Sequence, residues 1–498
     1  MASALDSIAP PRTADSARVA RPLPIERVDF GKFSQDLLGN FRWLHQEFGP
    51  LAVIEDGGQR VAFLFSPEFN QQVLSDTERF HARFFTIRGP KRSAQRRVTS
   101  GLLAMNGEQH RRNRRIVKEP FGLRAISTYG DTIVRVTDEL LDRWQPGETR
   151  DIAEEMRQYM LQLTSTLLFG LDDPETACRL GDMIANWVTL NHQVGVGALV
   201  PNDRFSDGYE QLLRYAEVLE AEVLALIRRR RQEGGQGRDV LSILVRSHDE
   251  DGGLSDEELV GQAAVLFSAA HLTTAHSLAW TLFLLAQHPY VMRDLSQEFQ
   301  RNSGDADMPA ANGSLPKGEE LSLLDRVIKE SMRVLPPSAY SQRMTTEAVQ
   351  LGPLNLSRGT GIVFTPVIVH HLPELYAAPE RFVPDRWINL RPSPYAYHPF
   401  GAGPRLCIGA PLATAIIRVA LRRILSRYRL TVVPGSQIGA HIESTMLFPT
   451  HGVPMQIHAA DGNYSASPVD GNIHELVELN ATSGNATAGA AELPRKPR

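Results

Sequence analysis

Cys407 sits in the segment Phe400-Gly-Ala-Gly-Pro-Arg-Leu-Cys-Ile-Gly409, and a helical pattern begins at once after it, from Ala410. Gly401 and Gly403 permit positive φ and let the backbone approach a flat ligand closely. A thiolate just ahead of a helix N-terminus receives backbone N–H groups and the positive end of the helix dipole, and both stabilise negative sulfur. Arg405 can add charge or reach an anionic group. A cysteine so placed suits a metal ligand or a nucleophile. The plainer alternative is a buried structural cysteine beside a glycine-rich turn. Cys178 has no such surroundings and reads as a core residue.

Other residues carry weaker signals. Glu330 and Arg333 lie three apart in a helical run, so they share a face and can pair. His110 and Arg114 are four apart in Asn106-Gly-Glu-Gln-His-Arg-Arg-Asn-Arg-Arg115, which reads either as an anion site or as a solvated basic face. A capping box, Ser255-Asp-Glu-Glu258, opens a pattern that runs to His288-Pro289, about 50 Å of helix. Its middle reads Ala269-Ala-His-Leu-Thr273-Thr274, where a threonine can simply bond back to the carbonyl four residues earlier.

The elements that must position these residues are mostly helical. Helical patterning covers 108–118, 131–143, 210–231, 256–288, 321–335 and 410–428. Strand signals lie at 51–55, 60–65, 362–369 and 430–433, with Asp56-Gly-Gly-Gln59 as a hairpin turn. No regular alternation of strand and helix is present, so a doubly wound sheet is not expected. Residues 1–27 are expected to be a disordered lead, 28–460 one domain, and 461–498 a low-complexity, mobile tail with a short helix near 473–479.

Composition narrows the class. The 498 residues carry a net charge of -4 and two cysteines. Bulk attraction to nucleic acid or anionic membrane is not indicated. No disulfide framework and no four-thiolate metal site can be built. The lead mixes acids with arginines and lacks an apolar run, against a secretory signal or anchor, so a cytoplasmic protein is expected.

The filled pattern F-x-x-G-x-R-x-C-x-G resembles the haem-binding loop of the cytochrome P-450 family, and the resemblance extends over roughly residues 28–460. It implies a mainly α fold with small β-sheets, with haem b between the long central helix and the cysteine-loop helix. Cys407 would ligate the iron, Phe400 would lie beside it, and His110, Arg114, Arg343 and Arg405 would hold the propionates. Arg386, in Phe382-Val-Pro-Asp-Arg386-Trp387, would complete a structural lock with Glu330 and Arg333; Arg381 is in the wrong register. Thr273, with Thr274 beside it, would organise proton delivery to oxygen. Phe85, Trp187, Phe267, Ala270, Tyr340, Met446 and Leu447 would line a pocket for a hydrophobic small molecule.

One position departs from the pattern. The family's acid in A-[GA]-x-[DE]-T-[TS] is replaced by Leu272. A water-based relay or another side chain is then expected, and peroxide use, radical coupling or rearrangement is the rival chemistry. A non-catalytic haem sensor is a further rival. No flavin or nicotinamide fingerprint follows a strand, so NAD(P)H-derived electrons are expected through a ferredoxin or flavodoxin with its reductase. Docking is expected on the basic face of Arg111, Arg112, Arg115, Lys118, Arg418, Arg422, Arg423 and Arg427. The expected product is a hydroxylated or epoxidised specialised metabolite, made by a monomer.

Overall fold

Gly57 and Gly58 adopt φ of 53° and 82°, the positive values that a two-residue hairpin turn needs. The turn joins strands Leu51–Asp56 and Gln59–Leu64 in antiparallel register, with Asp56 opposite Gln59. This computed structural model describes residues 25–82, 87–170, 173–194, 208–233, 237–249, 253–301 and 321–479. The hairpin seeds a six-stranded sheet in the order Ile25–Arg27, Leu51–Asp56, Gln59–Leu64, Gly361–Phe364, Ser341–Thr345, Phe80–Ala82. Smaller sheets and many helices make up the rest, a mainly α molecule as expected.

The long helix, Asp256–Gln287, begins at the capping box: Ser255 Oγ accepts from Glu258 N, and the Glu258 carboxylate accepts from Ser255 N. It stops where Pro289 forces His288 out of helical geometry, at φ -125° and ψ 73°. Helices Ile152–Phe169, Leu323–Val334 and Ala410–Arg427 pack around it. A helix apolar on every side belongs in the middle of a protein. Outside its first turn, only Ser268, Ala269, Ala270, Leu272 and Thr273 escape burial.

Three sequence-based expectations need correction. The strand expected over 362–369 ends at Phe364, because Pro366 starts the short helix Pro366–Val369. The lead is ordered from Ile25: Ile25–Arg27 pairs in parallel with Val53–Glu55. Residues 461–479 are not a mobile tail. Strand Val469–Asp470 pairs with Ser436–Gln437, and Ile473, Leu476 and Val477 are buried. Those three apolar residues at one-turn spacing dock on the body, a contact that composition alone does not reveal. The expected short helix is a 3-10 turn, Asn472–Glu475.

Candidate functional site

Gly401 and Gly403 take φ of 72° and 69° in the loop ahead of the Ala410–Arg427 helix. A Cβ on Gly403 would lie 2.3 Å from the Leu74 carbonyl oxygen, so only glycine lets this loop sit against the Pro67–Ser75 helix. The loop closes on itself where Cys407 N donates to Phe400 O at 2.9 Å. The thiol is accessible, yet enclosing protein pushes its proton affinity up by desolvation. Both hold for a group on the wall of a concavity. Opposing that shift, the N–H groups of Gly409 and Ala410 donate to the sulfur, and the Arg114 guanidinium lies within electrostatic reach. These are the stabilisers of a thiolate that the loop sequence implies.

Near this loop the structure gathers His110, Arg114, Arg343 and Arg405. Helix Gly107–Val117 supplies the first two, and strand Ser341–Thr345 supplies Arg343. His110 is pushed down to about 4, first by burial and then by Arg405, Arg114 and Arg343. Arg343 is buried and held down to about 9 by desolvation and by Arg405. Arg405 is held down to about 10 by desolvation and by Arg114. The acceptors found for them are neutral. Arg343 donates to Gln342 O at 2.7 Å, Arg405 to Met105 O and to Asn106 Oδ1, and Arg114 to Leu406 O. Arg405 Nε is buried with no acceptor among the described residues.

Cations driven together without a carboxylate among them fit a dianionic ligand, and the two propionates of a haem supply that charge. The residues present therefore fit the group implied by the loop. The mutual repulsion makes a two-sided prediction. Arg343→Gln or Arg405→Gln should raise the denaturation midpoint of the haem-free protein while speeding haem loss to a scavenging haem protein by about 10–100-fold. A variant that lowers the midpoint of the haem-free protein, or that leaves the rate of haem loss unchanged, would contradict the charge-cluster reading.

Glu330 and Arg333 are both wholly buried. The Glu330 carboxylate accepts from Arg333 Nε and Nη2, Arg386 Nε, Val383 N and Trp387 Nε1, at 2.9 to 3.0 Å. Arg333 also donates to the carbonyls of His370, Pro379 and Arg381. Arg381 contributes only its backbone here, and its own side chain reaches Glu478. The register that selects Arg386 over Arg381 is the one the structure uses.

On the long helix, Thr273 Oγ1 donates to Ala269 O at 2.7 Å. That uses the hydroxyl proton and leaves the oxygen lone pairs free to accept, facing the accessible strip of Ala269, Ala270, Leu272 and Thr273. Thr274 is buried and off this strip. His271 is turned away: its Nε2 is 3.0 Å from Arg157 O, and burial pushes it down to about 4. It cannot serve in place of the absent acid.

The pocket wall differs from expectation. Trp187, Phe267, Tyr340 and Leu447 are each no more than 1% exposed, so they are core residues and not lining residues. Trp187 Nε1 donates to Gln95 Oε1 at 2.8 Å, and Gln95 Nε2 donates to Ile87 O and Asn191 Oδ1, a buried clamp between helices Ala94–Val98 and Pro174–Val194. Phe267 stacks on Phe169 at 6.0 Å, and Tyr340 meets Phe41 edge-on at 5.4 Å. Leu447 is pinned by its backbone, accepting from Trp280 Nε1 and donating to Pro337 O. Met446 is 8% exposed and Ala270 is partly open, so both stay candidates. Phe85 lies outside the described residues. The open residues missed were Ser268, Ala269 and Leu272. Their signal was present as small residues and a leucine within two turns of Thr273.

Comparison with known proteins agrees with this geometry. The family model described as Cytochrome P450 matches residues 22–458. The chain is 31% identical to "Cyclooctat-9-en-7-ol 5-monooxygenase" of Streptomyces melanosporofaciens, over 78% of this chain and 84% of that protein. It is 30% identical to "Pentalenene oxygenase" of Streptomyces avermitilis, over 80% of this chain and 88% of that protein. Among solved structures, "Retinoic acid bound cyanobacterial CYP120A1" superposes with a TM-score of 0.73 at 23% identity, covering 88% of this chain and 100% of that one. That last likeness speaks to the fold.

Proposed function

Because this chain belongs to the cytochrome P450 family, whose members named above include monooxygenases, we propose that it is a haem-thiolate monooxygenase acting on a largely hydrocarbon, ring-containing small molecule. The carrying observation is Cys407: an accessible sulfur that accepts the N–H groups of Gly409 and Ala410 and lies near a cluster of cations lacking acids. Cys407 would hold the iron, and His110, Arg114, Arg343 and Arg405 would hold the propionates. The haem, when bound, supplies oxygen activation, which thiolate donation favours. The substrate class is taken from the alkenol and the hydrocarbon in the names of the two relatives. The accessible strip around Ala269 and Ala270 is small-sided, as an apolar substrate of some bulk requires.

Thr273 would accept a proton on its hydroxyl oxygen and pass one on toward the oxygen site. Thr273→Ala is expected to lower product formed per NADPH consumed while substrate binding, read by titration of the haem band, stays unchanged. Unaltered coupling would remove Thr273 from this role. The Leu272 position keeps one second reading alive, a rearrangement or peroxide-driven oxidation. Product made under oxygen-18 gas separates them, because incorporated label requires oxygen from O2.

Electrons would come from an external iron–sulfur or flavin carrier. The basic face expected for docking is largely neutralised within the chain. Arg111 pairs with Glu108, Arg112 with Glu258, Arg418 with Asp325, Arg423 with Asp138, and Arg427 with Asp138 and Asp142. Arg422 lies over the Phe299 ring. Carrier association should then depend on salt more weakly than eight free cations would require. The first test of the whole proposal is the reduced carbon monoxide spectrum: a strongly red-shifted band supports it, and a globin-like band overturns it.

A further inference from the structure

We propose that residues 468–478 form a strap that sets the position of the β-hairpin beside the substrate pocket, with Gly471 and Asn472 as positioning residues, and that the strap thereby sets how closely the pocket fits a bulky apolar ligand. The inference deepens the haem monooxygenase reading above and rests on it. The strap lies past residue 458, the last that the family model matches.

The hairpin consists of strands Ala440–Glu443 and Met446–Pro449, with Glu443 opposite Met446, the candidate lining residue. It leans on the long helix just beyond the accessible strip. Phe448 packs edge-on against His276 at 4.3 Å, and Trp280 Nε1 donates to Leu447 O at 3.1 Å. His276 is about one turn past Thr273. The tip does not hold itself. Ser444 takes a φ of 56°, where glycine is the usual residue, and such strain persists only when the surroundings fix it. The body fixes one edge: Leu447 N donates to Pro337 O, and Ala339 N donates to Thr445 O.

The strap fixes the other edge. Thr450 N donates to Gly439 O, so the alternation of an antiparallel pair leaves the N–H and C=O of Ala440, opposite Pro449, facing outward. Asn472 meets both. Its Oδ1 accepts from Ala440 N at 2.7 Å, and its Nδ2 donates to Ala440 O at 2.9 Å, the two bonds that a residue of a neighbouring strand would make. Gly471 brings the amide there: its φ is 112°, and a Cβ would lie 2.2 Å from Ile438 O. The strap is anchored on either side of this contact. Ile438 N donates to Asp470 O, and Val469–Asp470 pairs with Ser436–Gln437. Farther along, Arg42 pairs with Glu475, and Glu478 N donates to Glu380 O, between the Pro379 and Arg381 carbonyls that Arg333 holds.

Imidazole and phenylimidazole both bind iron through a ring nitrogen, and only the phenyl group presses on the pocket wall. Their dissociation constants, read by titration of the haem band of the holoprotein, therefore separate the wall from the iron. Gly471→Ala drives the strap off the hairpin and is expected to weaken phenylimidazole about tenfold while imidazole stays within about twofold. Asn472 is exposed, so Asn472→Ala leaves the core intact. It should move the same ratio in the same direction by about threefold, less because water partly replaces the amide. A strap that only adds stability would lower the denaturation midpoint of both variants and leave the ratio unchanged. That result, or an equal shift for both azoles, overturns the positioning role in a wild type that shows the red-shifted carbon monoxide band. A wild type without that band overturns the haem-thiolate reading itself, and the strap's role in ligand fit with it.

Discussion

Cys407→Ser is expected to abolish turnover outright and to remove the red-shifted carbon monoxide band, even where the variant still retains haem. The reason lies in what the loop stabilises. Two N–H groups and the Arg114 guanidinium are aimed at the sulfur position, and a thiol can meet that field by ionising. A serine hydroxyl ionises far less readily than a thiol, so the same donors find a neutral oxygen that gives little electron density to iron. The fold should be untouched, because the loop is held by Cys407 N to Phe400 O and by glycine geometry, neither of which needs sulfur. The measurement is the pair of spectra together with NADPH-driven product formation. A Cys407→Ser variant retaining both band and product would leave the loop as scenery.

Glu330→Ala should be the most destabilising single change in the protein. Its carboxylate receives five donors in a fully buried place, and removing it strands the Arg333 and Arg386 cations beside an apolar side chain. Breaking a buried pair this way costs about 3–5 kcal/mol. Against a total folding stability of about 5–15 kcal/mol, that is enough to deplete the folded state. Glu330→Gln should recover little, because it keeps an acceptor but leaves two cations without charge. Denaturant midpoints for the two variants and for Arg386→Met check this. A loss under about 1 kcal/mol for Glu330→Ala would mean that water replaces the carboxylate.

The parts of this site that were legible in the sequence are those fixed locally. Gly401, Gly403 and the helix start at Ala410 dictate the loop whatever surrounds it. The Ser255 capping box and Pro289 bound the long helix for the same reason. Arg386 was legible by register. The pocket wall was not, because an apolar side chain reads the same whether it faces a cavity or a neighbour. Trp187 illustrates this: its indole N–H is spent on Gln95, a partner 92 positions away that no local pattern announces. Residues 461–479 failed for a related reason, since polar, small residues surround the three apolar ones that dock. The basic face was legible as charge and illegible as free charge, because Asp138 and Asp325 come from distant helices.

The docked end of the chain also bears on the order in which the protein can be made. Arg42, in the helix Leu37–Phe48, finds its partner in Glu475, 433 positions later. Glu478 N closes on Glu380 O, and His371 meets Leu476 O. The Leu37–Phe48 helix therefore waits for a segment far downstream before its surface is covered. Contacts of such separation form slowly and late. Folding should pause at a nearly finished body whose seam is sealed only when residues 473–478 dock, and until then the apolar surface that buries Ile473 and Val477 lies open to chaperones.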